Sequence, residues 1–270
     1  MEQLTLDDVV DVTDAPLVDA TDVEPPVADP PVVVDTVTPV ADHDPPPWLQ
    51  RPLASLDLET TGTDPATSRC IEIAVVLVDA DGRPADDGYL TLIDCGEEIP
   101  EEAVAVHGIS TARMRTEGLA PAAAIAEVAA RLRAVADEGI PVVIYNARFD
   151  WPLLLAEAQR VGIELPEVTL IDPMVIDRHL DRYRKGKRRL GDVAQHYGVD
   201  AGTAHSAYDD ALASARIAQA IGRRFPQLGE LGTADLHELQ RGWFAEWRDG
   251  FNRFLVTKGS DDLVTGRWPY

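Results

Sequence analysis

Cysteines, long apolar runs and, near the start of the chain, positive charges are what this sequence lacks. Only Cys70 and Cys95 occur in 270 residues, and two cysteines do not form the disulfide framework of a small secreted protein. They could face one another across a hairpin, but we favour buried free thiols in a reducing cytoplasm. No stretch reaches the ~18 apolar residues of a membrane helix, and no positively charged apolar leader opens the chain. We therefore expect a cytoplasmic protein with no secretory signal and no membrane contact.

The start of the chain has a composition of its own. Residues 1–48 contain no Lys or Arg, twelve acids and nine of the twenty prolines, in a chain of net charge −23. Proline and unpaired negative charge oppose a compact core, so we predict a disordered acidic tail over residues 1–48. The rest of the chain suits one ordinary domain, predicted at residues 49–226, and a helical extension at residues 227–270.

Hydrophobic patterning predicts an α/β domain. The predicted strands are residues 53–58, 71–78, 89–93, 141–145 and 168–171. The predicted helices are residues 121–136, 151–161, 173–182, 189–197 and 206–223, with loop and short helix at residues 97–120. Asp81-Gly82 favours a hairpin between the second and third strands. Strands that come first and then alternate with helices indicate a mixed five-stranded sheet flanked by helices.

The last segment has one apolar helical face. Six large apolar residues recur at steps of three or four, namely Leu236, Leu239, Trp243, Trp247, Phe251 and Phe254. Such a stripe must be covered. We favour a helix that packs back onto the domain, and the alternative is a helix that docks a partner. Gly242 and Gly250 weaken this helix in either case.

Asp57 and Glu59 lie two residues apart on the first predicted strand, so their side chains point to the same face. Two unpaired acids on one face of a buried strand are costly. Taken alone, Asp-x-Glu is a weak pattern in an acidic chain, and an exposed strand end explains it as well. Thr60-Thr61-Gly62 then turns the chain, and its backbone N–H groups could hold a terminal nucleotide.

Two further segments carry candidate residues. Asp150 lies at a predicted strand-to-helix junction, where an Asp often serves only as a helix cap. The neighbouring Phe149 could stack on a base. His205 and Asp210 are five residues apart, so they can converge only if Ser206 caps a helix. His205 then lies in the preceding loop and Asp210 in the first turn. Asp209 is interpreted as part of a capping-box-like start.

Together these segments resemble the DEDDh (DnaQ-like) 3′–5′ exonucleases, a family that includes the proofreading epsilon subunit of bacterial DNA polymerase III, oligoribonuclease and RNase T. The family's three motifs appear in order as Asp57–Gly62, Asn146–Asp150 and His205–Asp210. Val106-His107-Gly108-Ile109 is similar to a family loop near the substrate. A sister group uses a tyrosine four residues before the last Asp, and Ser206 occupies that position here. The resemblance spans about residues 52–222 and implies an RNase H-like fold.

The resemblance also implies a mechanism. Asp57, Glu59, Asp150 and Asp210 would bind two Mg²⁺ or Mn²⁺ ions, with His205 as general base. Nucleoside 5′-monophosphates would leave the 3′ end of single-stranded DNA or of a frayed duplex. The predicted substrate contacts are Leu58, Thr60, Thr61, His107, Asn146, Phe149, Arg188 and Arg189. The last two belong to a basic stretch between Arg178 and Arg189 that suits phosphate contacts, although a solvated charged loop is the alternative.

Three other functions stay open at this point. An exoribonuclease with the same site is one, because Asp57–Gly62 does not distinguish the sugar. A non-catalytic docking module is another, although an intact set of five residues argues against it. The third is a proofreading subunit that binds a polymerase or another protein through residues 227–270.

Overall fold

The computed structural model describes residues 47–203 and 206–270. The predicted tail therefore lies outside the described residues except for Pro47 and Trp48, and His205 lies outside them as well. Trp48 opens a short 3-10 helix (Trp48–Gln50) and is fully buried. Its indole N–H donates to the carbonyl of Leu228 at 2.6 Å. The folded part thus includes Trp48, which the predicted boundary had assigned to the tail.

A mixed five-stranded sheet forms the centre, in the order β3-β2-β1-β4-β5. The strands are β1 (Leu53–Thr60), β2 (Cys70–Val78), β3 (Tyr89–Leu92), β4 (Val142–Val143) and β5 (Leu170–Ile171). β1 pairs antiparallel with β2 and parallel with β4, while β2 pairs antiparallel with β3 and β4 parallel with β5. The predicted sheet is confirmed, although β4 and β5 are shorter than their apolar runs.

Helices cover both faces of this sheet. They are α1 (Glu101–His107), α2 (Thr111–Glu117), α3 (Pro121–Asp137), α4 (Ala147–Arg160), α5 (Pro173–Leu180), α6 (Leu190–Tyr197), α7 (Ala207–Arg224), α8 (Pro226–Gly229) and α9 (Thr233–Thr257). α4 begins four residues before the predicted helix, because a left-handed Asn146 turns the chain three residues after the end of β4. Pro152, predicted in a first turn, therefore lies inside the helix.

Alternate residues of β1 enter two cores. Leu56 and Leu58 pack in a cluster with α3 and α4, whereas Leu53 packs in a cluster with residues of α5, α6 and α7. Side chains two apart on a strand share a face, so Asp57 and Glu59 lie on the Leu53 face. α7 packs against β1, and the start of α7 is thereby brought to the two acids.

The C-terminal helix packs back onto the domain, as the favoured interpretation predicted. α9 contacts α5 and β5, and its buried residues are Leu236, Gln240 and Phe244. Cys70 and Cys95 are buried free thiols, as predicted. Among the described helices, none combines the length and apolar character that crossing a membrane requires.

Two helical glycines should respond in opposite directions to alanine. A Cβ on Gly222 of α7 would lie 2.8 Å from the buried Trp48 ring, so Gly222→Ala should lower the free energy of unfolding by about 1–3 kcal/mol. A Cβ on Gly242 of α9 would meet nothing within 4 Å. Gly242→Ala should therefore raise that free energy by up to about 1 kcal/mol. Urea unfolding of both variants checks the pair, and shifts of the same sign would contradict the packing of Trp48 on α7.

Candidate active site

Three of the predicted acids meet at one point. Carboxylate oxygens of Asp57, Glu59 and Asp210 lie within 4.8 Å of one another. Asp57 and Glu59 come from β1, and Asp210 comes from the first turn of α7, where its N–H donates to the carbonyl of Ser206 at 2.9 Å. The start of α7 at Ala207, with Ser206 at the N-cap, thus gives Asp210 the position that the sequence predicts.

Asp150 lies beside this cluster and is tied to β1. Its carboxylate Oδ1 accepts the backbone N–H of Leu58 at 3.1 Å, and only 4% of the residue is exposed. Leu58 separates Asp57 and Glu59 along the chain, so this bond sets α4 against the strand between the two acids. The charge of Asp150 also raises the pKa of Asp57, second only to burial. The role of Asp150 as a metal ligand stays a prediction.

Burial and mutual repulsion dominate the electrostatics of the site. Burial, followed by the charges of Asp210 and Glu72, raises the pKa of Glu59 to about 8. Burial likewise raises the pKa of Asp150 to about 8, although the Leu58 N–H lowers it. The pKa of Asp57 is also raised well above its ordinary value, first by burial. Hard divalent cations prefer carboxylate oxygens, so this crowded donor set fits Mg²⁺ or Mn²⁺.

Glu72 is a further acid of the site, which the motif analysis missed. It lies on β2 directly opposite Glu59 and is 7% exposed. Its carboxylate accepts the backbone N–H of Ala207, the first residue of α7. Glu72 therefore connects β2 to the helix that carries Asp210. A single acid inside the apolar run Cys70–Val78 was the available signal, because a buried carboxylate needs a partner.

Glu157 of α4 forms a buried ionic cluster behind the site. It is 1% exposed, and its carboxylate accepts hydrogen bonds from Arg69 at 2.8 Å, Arg160 at 3.0 Å and the Cys70 N–H at 3.1 Å. These bonds connect α4 to the loop between β1 and β2. Sequence reasoning missed this cluster, because a helical Glu followed three residues later by Arg is typical of an exposed pair.

Two of the predicted substrate contacts, Leu58 and Thr61, have backbone N–H groups that already donate to other groups of the protein. The Leu58 side chain is 5% exposed and its N–H donates to Asp150. A contact of Leu58 with substrate would therefore have to use other atoms, and it stays a prediction. The N–H of Thr61 donates to the carbonyl of Arg69 at 2.9 Å. The Thr61 N–H is therefore not available to hold a nucleotide, and a role for the Thr61 side chain stays a prediction.

Four other predicted substrate contacts lie at or near the ends of a strand or a helix. Thr60 is buried and its hydroxyl donates to the carbonyl of Gly62 at 2.8 Å. His107 ends α1, and its Nδ1 accepts the N–H of Ile109 at 3.1 Å. Phe149 is half-buried and packs against the main core, and Asn146 takes a left-handed conformation before α4. Their contacts with substrate stay predictions.

The basic stretch is largely engaged inside the protein. Arg188 is 7% exposed, and its Nε lies 3.3 Å from a carboxylate oxygen of the fully buried Asp177, which also pairs with Arg184. The guanidinium of Arg178 stacks over Trp247 at 4.1 Å. The Arg188 side chain thus pairs with a buried acid, and its contact with phosphate stays a prediction. Arg189 is exposed at the N-cap of α6 and stays a predicted contact.

The loop before α7 is held by Asp209. Its Oδ2 accepts the N–H of Thr203 at 2.9 Å, and not the N–H of Ser206 that a capping box requires. Asp209 thus orders the chain on the N-terminal side of His205, which itself lies outside the described residues.

A sheet of this order, with two carboxylates of its central strand gathered with a third from a helix packed on that strand, is typical of nucleases that use metal ions. The chain belongs to the exonuclease family of RNase T, whose sequence model matches residues 55–218.

The curated relatives are larger proteins, and the match covers only a part of each. The chain is 29% identical over 187 residues to a PolC-type DNA polymerase III of Thermotoga maritima, covering 69% of this chain and 13% of that protein. It is 37% identical over 107 residues to a DNA polymerase III subunit epsilon-like protein of Rhodobacter capsulatus, covering 39% and 14% of the two chains. A putative bifunctional exonuclease/endonuclease protein of Mycobacterium tuberculosis is 30% identical over 186 residues, covering 67% and 28%. The chain therefore spans less than a third of each of these relatives.

Solved structures agree on the fold. Exonuclease I of E. coli, in complex with a dA16 oligonucleotide, superimposes with a TM-score of 0.58 at 20% identity and covers 67% of this chain and 42% of that one. Exonuclease I of Methylocaldum szegediense gives a TM-score of 0.54 at 22% identity, covering 66% and 42%. At such identities the comparison establishes the fold.

The raised pKa of Glu59 predicts a stability that depends on pH. The pKa of Glu59 is about 8 in the metal-free folded protein and ~4.3 in an unfolded chain. Between these values the folded state retains a proton that the unfolded state releases, so the free energy of unfolding falls as pH rises. In EDTA, Glu59→Gln should therefore stabilise the protein much more at about pH 9 than at about pH 5.

Urea unfolding at the two pH values measures this difference, with Glu98→Gln, at an exposed position, as the matched control. With Mg²⁺ in place of EDTA, the wild type should become more stable than Glu59→Gln, because the ion stabilises the wild type more. A stability difference that is the same at both pH values would contradict the raised pKa.

Proposed function

We propose that this protein is a 3′–5′ exonuclease that releases nucleoside 5′-monophosphates from the 3′ ends of DNA. The convergence of Asp57, Glu59 and Asp210 within 4.8 Å carries the proposal, because carboxylates this close repel one another and a bound divalent cation would offset that repulsion. Membership of the exonuclease family supports the reaction class. DNA is favoured because the relatives named above include a PolC-type DNA polymerase III and a protein similar to the epsilon subunit of DNA polymerase III.

The carboxylates would hold two Mg²⁺ or Mn²⁺ ions. Asp57, Glu59 and Asp210 would supply the converging oxygens, and Asp150 would supply the oxygen that is not bonded to the Leu58 N–H. When bound, the two ions would lower the pKa of the attacking water and stabilise charge on the leaving oxygen. The protein itself supplies the rigidity, since Glu72 and Glu157 hold α7 and α4 in place.

His205 would act as the general base. An imidazole with an unperturbed pKa near ~6.5 is largely neutral at pH 7 and can accept a proton there. It would take the proton of the water that attacks the terminal phosphorus. The P–O bond to the 3′ oxygen of the preceding nucleotide would then break, and that oxygen would take a proton from solvent. The products are a new 3′ hydroxyl and a nucleoside 5′-monophosphate.

The predicted polymerase-docking role of residues 227–270 also stays a proposal. The inner face of α9 is used by the domain, since Leu236, Gln240 and Phe244 are buried. Any partner would therefore meet the outer face of the helix. The polymerase names of two relatives support such a partner.

Degradation of a 5′-labelled oligonucleotide tests the activity. With Mg²⁺, the wild type should shorten single-stranded DNA one nucleotide at a time from the 3′ end. Asp210→Asn should lose at least about 10³-fold in rate, because it removes charge from the cation site. Glu98→Gln, which changes an exposed acid in the same way, should retain full activity.

A matched RNA oligonucleotide distinguishes the substrates. Faster cleavage of RNA would replace the DNA assignment with the exoribonuclease alternative. No product from either substrate, with folded protein and with Mn²⁺ also tried, would refute the exonuclease proposal.

Loss of the general base should leave metal binding intact. His205→Asn should lower kcat by about 10²–10⁴-fold and remove the acidic limb of the pH–rate profile. Calorimetric titration with Mn²⁺ should give the same affinity and stoichiometry as the wild type. A variant that keeps both its rate and its acidic limb would show that His205 is not the base.

A further inference from the structure

A buried aspartate at the end of β5 joins three parts of the chain. Asp172 is 1% exposed. Its Oδ1 accepts the N–H groups of Asn146 and Met174, both at 3.0 Å. Its Oδ2 accepts the N–H of Ala147 at 2.9 Å and the indole N–H of Trp268 at 3.0 Å. One carboxylate therefore caps α5, holds the start of α4 and binds the C-terminal segment.

The turn that Asp172 holds is strained. Asn146 has φ 59° and ψ 51°, and it is the only residue other than glycine with a positive φ among the described residues. Residues with a Cβ keep this conformation only when their surroundings enforce it. The N–H groups of Asn146 and Ala147 both donate to Asp172, so this carboxylate holds Asn146 in the left-handed conformation. Asp150 lies four residues further on, in the first turn of α4.

The C-terminal helix contacts the same place from the open edge of the sheet. β5 is the edge strand, and the N–H of Leu170 donates to Nδ1 of His237 at 2.8 Å. The fully buried Gln240 donates to the carbonyl of Leu170 at 2.9 Å and accepts the N–H of Asp172 at 2.6 Å. The side-chain amide of Gln240 thus forms hydrogen bonds with the backbone at β5 like those that a neighbouring strand would form.

We propose that Trp268 and Gln240 of the C-terminal segment act through Asp172 as positioning residues for Asp150, so that residues 227–270 complete the catalytic site. The route runs from the indole N–H of Trp268 to Asp172, from there to the turn at Asn146, and along α4 to Asp150 against Leu58. The match to the family covers residues 55–218, so Gln240 and Trp268 lie outside the matched region.

The charge on Asp172 depends on these donors. Burial raises the pKa of Asp172, and the Trp268 N–H is the largest of the contributions that lower it. Without the indole N–H, the buried carboxylate retains only backbone donors. Its hold on the N–H groups of Asn146 and Ala147 then weakens, and the strained turn is released.

The test uses the full chain with Trp268→Phe, which removes the N–H and keeps an aromatic ring. Hydrogen exchange at the amides of Asn146 and Ala147 should become faster than in the wild type, while the strands of the sheet stay protected. Tyr270→Phe, at an exposed neighbour in the same segment, is the control and should change nothing. Asp172→Asn is the second variant and should give the same local exchange.

The kinetic part of the test rests on the proposed exonuclease activity. Trp268→Phe should lower kcat by about 10- to 100-fold with an unchanged KM for a single-stranded oligonucleotide, because Asp150 is displaced while the DNA-binding surface is kept. A general loss of stability would instead lower the amount of active enzyme and leave kcat per folded molecule unchanged. Thermal unfolding and active-site counting separate the two cases.

Each result is decisive. Wild-type protection of the Asn146 and Ala147 amides in both Trp268→Phe and Asp172→Asn would overturn the proposal, and so would full kcat in both variants despite faster exchange. If the wild type cleaves no nucleic acid, the exonuclease proposal fails, and the exchange measurements still decide whether Trp268 holds the turn. If Trp268→Phe does not fold, Asp172→Asn and Gln240→Leu provide the same comparison.

Discussion

Repulsion among crowded carboxylates is the constraint on which the rest of this structure depends. Asp57, Glu59 and Asp210 lie within 4.8 Å of one another, and their partial burial weakens the screening of their charges by water. Such a cluster persists only if the elements that carry its members cannot move apart. β1 lies at the centre of the sheet with both faces covered, α4 is bonded to it through Asp150, and α7 is bonded to β2 through Glu72. In the metal-free protein, the close arrangement of carboxylates that would bind metal ions therefore lowers the stability of the fold.

The parts of the site that follow from local geometry could be predicted from the sequence. Two acids two residues apart on a strand must share a face, and a helix that starts after Ser206 must place Asp210 in its first turn. The mixed sheet followed from the order of the apolar runs. The start of α4 was misplaced because the left-handed Asn146 looks like any other asparagine in the sequence.

The parts that depend on long-range pairing could not be predicted. Arg188 stands in a run of basic residues, yet its partner is the buried Asp177, and nothing in the local sequence shows that Asp177 is buried. Glu157 and Arg69 are 88 residues apart, and Asp172 and Trp268 are 96 apart. No periodicity connects such pairs, because they depend on how the helices cross the sheet. The single acid of β2, Glu72, was the one long-range partner with a visible local signal.

The helix that covers β5 also has a consequence for solubility. An edge strand with open N–H and C=O groups is a template for pairing with a second chain. Here His237 and Gln240 occupy the backbone groups of Leu170 and Asp172. A protein cut at residue 218, where the family match ends, would expose this edge together with the apolar face of β5. We expect such a fragment to be prone to strand-to-strand association, which residues 219–270 oppose by covering the edge.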